Sequence, residues 1–99
     1  MKNPAFQFYP RDWLSDPELQ QSCASTRGIW INLLSHMWFS QDRGKLSGTV
    51  QEMCRLSACT EPEWLVFFEQ NCRLKFADVT FSAQIVTVKN RRMVREERI

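Results

Sequence analysis

The spacing of apolar residues changes once along this chain of 99 residues, and the change falls after Cys72. Upstream, apolar side chains recur at helical intervals. Downstream, Leu74 and Phe76 alternate with Arg73 and Lys75, and Val86 and Val88 alternate with Thr87 and Lys89. A period of 3.6 gathers side chains on one helix face, whereas a period of two places them on one face of a strand. A helical body followed by a strand pair is therefore the predicted order. The downstream stretch is rich in β-branched residues, so strands are expected near 73–77 and 85–89, joined through Asp78 to Gln84. No Asn-Gly or Asp-Gly pair marks where the hairpin turns.

Within the helical body the strongest pattern is Ile29, Trp30, Leu33, Leu34, Met37 and Trp38. It lays a wide apolar stripe along a helix from about Ser25 to Ser40, capped by Ser25 or Thr26 and stopped by Asp42-Arg43-Gly44. Before it, Phe6-Gln7-Phe8-Tyr9-Pro10 alternates briefly and ends at Pro10. Ser15-Asp16-Pro17-Glu18 then signals a short helix reaching Ser22, with Asp16 or Ser15 at its cap. Lys45-Leu46-Ser47-Gly48 reads as an extended link that makes at most one bridge. Thr49 opens a two-turn helix carrying Val50, Met53, Cys54 and Leu56. Thr60-Glu61-Pro62-Glu63 has the capping-box spacing and starts a further helix, with Trp64, Leu65, Phe68 and Cys72 directed inward. Asn90 caps a closing helix.

Two short helices joined by a three-residue turn, the second one capped, form a helix-turn-helix. With the hairpin and closing helix after it, the chain reads as one α+β, mainly helical domain, a winged helix spanning residues 1–99. That length buries enough surface for one core without metal or disulfide staples. Cys23, Cys54, Cys59 and Cys72 lack zinc-ligand spacing, and the one histidine, His36, is remote from them in sequence. Four reduced thiols, no metal and no cofactor are expected, with Cys23, Cys54 and Cys72 packed as small hydrophobes. No apolar run is long enough for a membrane span, which makes the cytoplasm the default compartment. Three scattered glycines provide no phosphate-cradling loop. No Ser/His/Asp or Cys/His arrangement appears, so no enzyme is expected.

Charge is unevenly placed. Residues 1–72 carry six Lys/Arg against eight Asp/Glu, whereas residues 73–99 carry seven against three. A near-neutral body with a basic end suits contact with a polyanion. Against this, a basic run is often only a solvated helix face, and an Arg92–Glu96 pair would account for part of it.

Phe8-Tyr9-Pro10-Arg11-Asp12-Trp13-Leu14-Ser15-Asp16, Arg27-Gly28-Ile29-Trp30 with Leu33-Leu34, and Asn90-Arg91-Arg92-Met93 together resemble the N-terminal winged-helix domains of phage and prophage replication-initiation proteins. The likeness extends to a family associated with primosome components and runs from about Phe6 to Arg95. It implies origin binding or helicase loading, with a helicase or primosome component as partner. It also implies that the chain is the N-terminal domain of a longer protein.

One feature departs from duplex reading. The helix expected in the major groove carries Glu61, Glu63 and Glu69 and no Lys or Arg over residues 61–72, leaving Gln70 and Asn71 as the only base readers. DNA contact is therefore assigned to Lys75, Lys89, Arg91, Arg92 and Arg95, largely without sequence preference. The alternative is a protein-interaction or self-assembly module, a homo-oligomer included, on the same scaffold. It is favoured if Trp13, Phe39, Phe67 and Phe81 are displayed rather than buried.

Overall fold

Two threonines start the two central helices. In the computed structural model, which describes residues 8–97 and the side chains of residues 8–95, the Thr49 hydroxyl accepts from the Glu52 N–H. The Glu52 carboxylate in turn accepts from the Thr49 N–H at 2.9 Å. Thr60 and Glu63 repeat this reciprocal box. The boxes open α3 (Val50–Ser57) and α4 (Glu61–Leu74), and each satisfies two N–H groups that lack helical partners. Between them Ala58 takes a left-handed φ of 58° and turns the chain.

The remaining elements are α1 (Pro10–Ser15), a 3-10 turn (Leu19–Gln21), α2 (Ala24–Phe39), β1 (Lys45–Gly48), β2 (Asp78–Ser82), β3 (Ile85–Lys89) and α5 (Arg91–Glu97). The class is α+β and mainly helical, with one three-stranded antiparallel sheet in the order β1-β3-β2. No helix among the described residues is long and apolar enough to cross a membrane.

The core forms where α2 meets α4 and the sheet. Ile29, Trp30, Leu33, Leu34 and Met37 of α2 are buried as their spacing predicts, and Trp38 is half-buried. Trp30, Trp64, Phe67 and Phe76 make a continuous aromatic cluster with ring centroids 5.0 to 6.5 Å apart. Full burial of each such side chain stabilises the fold by roughly 1.5–3 kcal/mol. Val86 and Val88 close the core from the central strand.

Several expectations are corrected. Pro10 begins α1 instead of ending a strand, since proline is well placed where its missing N–H needs no partner; Phe6 and Gln7 lie outside the described residues. Asp16 does cap, accepting from the Glu18 and Leu19 N–H groups at 3.1 Å, but it opens only a 3-10 turn. α2 is capped at Cys23, one turn earlier than Thr26. β1 pairs with β3 along all four of its residues.

The first hairpin strand lies at Asp78–Ser82, because Arg73 and Leu74 continue α4 and Lys75 ends it in the left-handed region at φ 61°. The hairpin then turns at Ala83, whose φ is 55°. On α4 the buried residues are Trp64, Phe67, Asn71 and Leu74, whereas Leu65 and Cys72 are exposed and Phe68 is half-buried. Apolar residues adjoin at Trp64-Leu65 and Phe67-Phe68, so α4 has two apolar faces, and α2 packs on only one.

The four cysteines form no disulfide; Cys54 is buried, Cys23 and Cys59 half-buried, and Cys72 exposed. Cys23 sulfur lies 3.3 Å from the Ser25 hydroxyl and 3.4 Å from that of Thr26. Hydrogen bonds from the Ser25 and Thr26 hydroxyls and the Thr26 N–H hold the Cys23 thiol down to about 6 from the usual 9.0, against a weaker opposing effect of burial. A lowered folded pKa means that folding favours the thiolate, so its contribution is complete above pH 9 and is lost as pH falls through about 6. Chemical denaturation at pH 6 and pH 9 is expected to show wild type gaining stability over Cys23→Ala as pH rises through this window.

Gly44 is needed where α2, β1 and α5 converge. Its N–H donates to the Met37 carbonyl at 3.2 Å and its carbonyl accepts from the Asn90 N–H at 2.9 Å. Its φ is +89°, and a Cβ there would stand 2.8 Å from Val94 Cγ2 and 2.9 Å from Val94 N. Gly44→Ala is expected to cost about 2–4 kcal/mol, combining backbone strain with overlap, and urea unfolding measures it.

Candidate functional site

A groove of about 630 Å³ lies between the C-terminal part of α4 and the β2–β3 hairpin. Its lining includes Phe68, Cys72, Lys75, Asp78, Val79, Thr80, Thr87, Lys89 and Arg91. Three of the five cations assigned to DNA from sequence, Lys75, Lys89 and Arg91, thus meet on one concavity.

Each is positioned by a different local device. The buried Asn71 side chain donates from Nδ2 to the Ala77 carbonyl at 2.9 Å and accepts the Ala77 N–H on Oδ1 at 2.8 Å. This pair of bonds folds residues 75–77 back against the helix, so that Lys75 stands at the helix end and β2 begins beside it. Lys89 ends β3, directly opposite Asp78 on one side and Lys45 on the other. Directly opposed residues share a sheet face, so Lys45, Lys89 and Asp78 form one cross-strand row. Arg91 opens α5, whose start is fixed by the Asn90 side chain accepting from the Met93 N–H at 2.7 Å.

Arg91 is also a structural tie. Its Nη2 donates to the Lys75 carbonyl at 2.9 Å, and its Nη1 lies 3.4 Å from Asp78 Oδ1. These contacts link the end of α4, the start of β2 and the start of α5. Asp78 is the one carboxylate in the groove lining, so the lining retains an excess of positive charge.

The other two assigned cations stand apart. Arg92 Nη1 lies 3.8 Å from Asp12 Oδ2 on α1, an exposed pair that contributes no more than about 1 kcal/mol. Arg95 is exposed on α5 and does not line the groove. The expected Arg92–Glu96 pair involves a side chain outside the described residues.

Neither candidate base reader on α4 faces outward. Asn71 is engaged with Ala77, and Gln70 Oε1 accepts from the Cys23 N–H at 3.1 Å. The acidic first turn has a local reason, because Glu63 completes the capping box and carboxylates are favoured at a helix N-terminus. Of the aromatics in question, Phe67 is fully buried and Trp13 is half-buried with its ring centroid 5.5 Å from that of Phe8. Phe39 and Phe81 remain exposed, at 77% and 51%. Sequence reasoning missed Phe68, Thr80 and Thr87 as groove residues, because it placed the first hairpin strand five residues early.

No family model matches the chain, and neither a curated protein nor a solved structure does.

Asn71→Ala leaves the buried Ala77 N–H and carbonyl without their partners. A loss of roughly 2–3 kcal/mol is expected in urea unfolding.

Proposed function

We propose that this chain is a winged-helix module that binds DNA largely without sequence preference, with α3 and α4 as the helix-turn-helix, β2–β3 as the wing and α5 as the closing helix. One observation carries the reading: Lys75, Lys89 and Arg91 converge on a single groove beside the hairpin, opposed there only by Asp78, which Arg91 already neutralises. Lys75 and Lys89 supply the charge, and Arg91 holds the geometry. With Gln70 and Asn71 committed internally, α4 presents no amide to read base edges, so affinity comes from phosphate contact and falls with salt.

The resemblance of the Phe8–Asp16 string and of Asn90-Arg91-Arg92-Met93 to replication-initiation domains supports a role in phage or prophage DNA replication, with a helicase or primosome component as protein partner. Such a module works in the cytoplasm, in keeping with four cysteines that form no disulfide.

A second reading has its own observation. Leu65 is 63% exposed and Val66 37%, on the helix that borders the groove. An apolar strip of this kind suits self-association better than it suits a phosphate backbone.

Lys75→Gly removes a charge while suiting the left-handed φ of 61° at that position, and Lys89→Thr keeps a strand-forming residue. Fluorescence anisotropy with labelled oligonucleotides across a salt series is expected to show the double variant binding more weakly. For duplex DNA the log–log salt slope should shrink by about 1.8, at about 0.9 for each phosphate that is no longer neutralised. The melting temperature should stay close to that of wild type. Unchanged affinity and slope overturn the reading in favour of the self-assembly module.

A further inference from the structure

We propose that the groove takes a single strand of nucleic acid, with bases stacking at Phe81 and Phe68 and phosphates held by Lys75 and Lys89. The inference rests on the DNA-binding reading and names the form of the polyanion.

The observations are an aromatic pair and its distance from the cations. Phe81, near the end of β2, is half exposed, and its ring meets that of Phe68 edge-on, with centroids 5.3 Å apart and planes at 79°. This contact braces the pair while leaving half of Phe81 open to solvent. Phe68 itself belongs to the groove lining. Along the hairpin, Phe81 pairs with Val86 and Asp78 with Lys89, so the aromatic position stands three residues from the lysine row. At about 3.4 Å per residue that separation is near 10 Å, within reach of a strand only a few nucleotides long.

The two forms of DNA use these groups differently. A duplex keeps its base faces inside the stack and offers phosphates and groove edges. On α4 it meets Glu61 and Glu69, both exposed, and no uncommitted amide. A single strand offers the same phosphates together with open base faces, for which exposed aromatic rings beside cations are a sequence-tolerant platform. Stacking therefore adds to single-strand affinity and leaves duplex affinity untouched. An acidic peptide would satisfy the lysines too, but it has no comparable flat π-face for Phe81.

The test compares an oligothymidylate of about 16 nucleotides, the upper end of the usual site size, with a mixed-sequence duplex by anisotropy on the whole chain. Wild type is expected to bind the single strand more tightly. Phe81→Ala should weaken single-strand binding roughly tenfold and leave duplex binding unchanged, while Phe81→Trp restores it and its fluorescence is quenched on binding. The Lys75→Gly/Lys89→Thr protein should lose affinity for both forms. If Phe81→Ala leaves the single strand unaffected, or weakens both forms equally, the stacking inference is overturned while the DNA reading stands. If folded wild type binds neither form at low salt, the DNA reading itself falls, and an acidic or self-associating partner takes its place.

Discussion

The arrangement of the groove depends on one buried amide. Asn71 occupies the inward face of α4, where an apolar residue would be the ordinary choice, and uses both ends of its side chain on the Ala77 backbone. A chain leaving a helix must find partners for its last carbonyls and for the N–H groups of the next segment. Here one side chain meets that need on both sides of Ala77, while the Lys75 N–H bonds back to the Asn71 carbonyl at 2.7 Å. The result is a tight exit that sets Lys75 at the mouth of the groove and starts β2 alongside the helix. Without it, the hairpin would have no fixed relation to α4, and the three cations would have no common concavity.

The same helix carries opposing demands. Its inward face supplies Trp64 and Phe67 to the aromatic cluster under Trp30. Its other apolar face, Leu65 and Phe68, stays at the surface or under the hairpin. Acidic residues cluster at its start, where the dipole and the capping box favour them, and basic residues at its end. Helix stability and ligand contact thus coincide at Lys75, because the C-terminal end that favours a cation is also the end that borders the hairpin. Charge on this surface follows from helix chemistry before any ligand enters.

Local chemistry made some elements readable from residues alone. Thr49 and Thr60 with their glutamates three positions on, Asn90 before α5, and the Ile29-to-Met37 stripe all state their roles within one or two turns of chain. The errors share a different character. The first strand is misplaced because the alternation of Arg73 to Phe76 mimics a strand, while the residue that terminates the helix, Lys75, adopts a left-handed conformation unusual for a non-glycine. The phase of α4 is misread because adjacent apolar pairs fit either face. Arg91 and Arg92 read as a basic run, yet their partners, Asp78 and Asp12, lie 13 and 80 positions away in the chain.

The sequence by itself determined the helical body, the following strand pair, the two capping boxes and the concentration of positive charge near the C-terminal end. Each of these is a property of residues a few positions apart, governed by period, cap chemistry and count. Tertiary structure alone decided which face of α4 is buried, that β1 completes the sheet beside β3, that Gln70 and Asn71 are spent inside the fold, and that three of five candidate cations share a groove. Those outcomes depend on contacts between residues far apart in the chain, and competition among several apolar surfaces and several polar partners settles them only when the whole core closes.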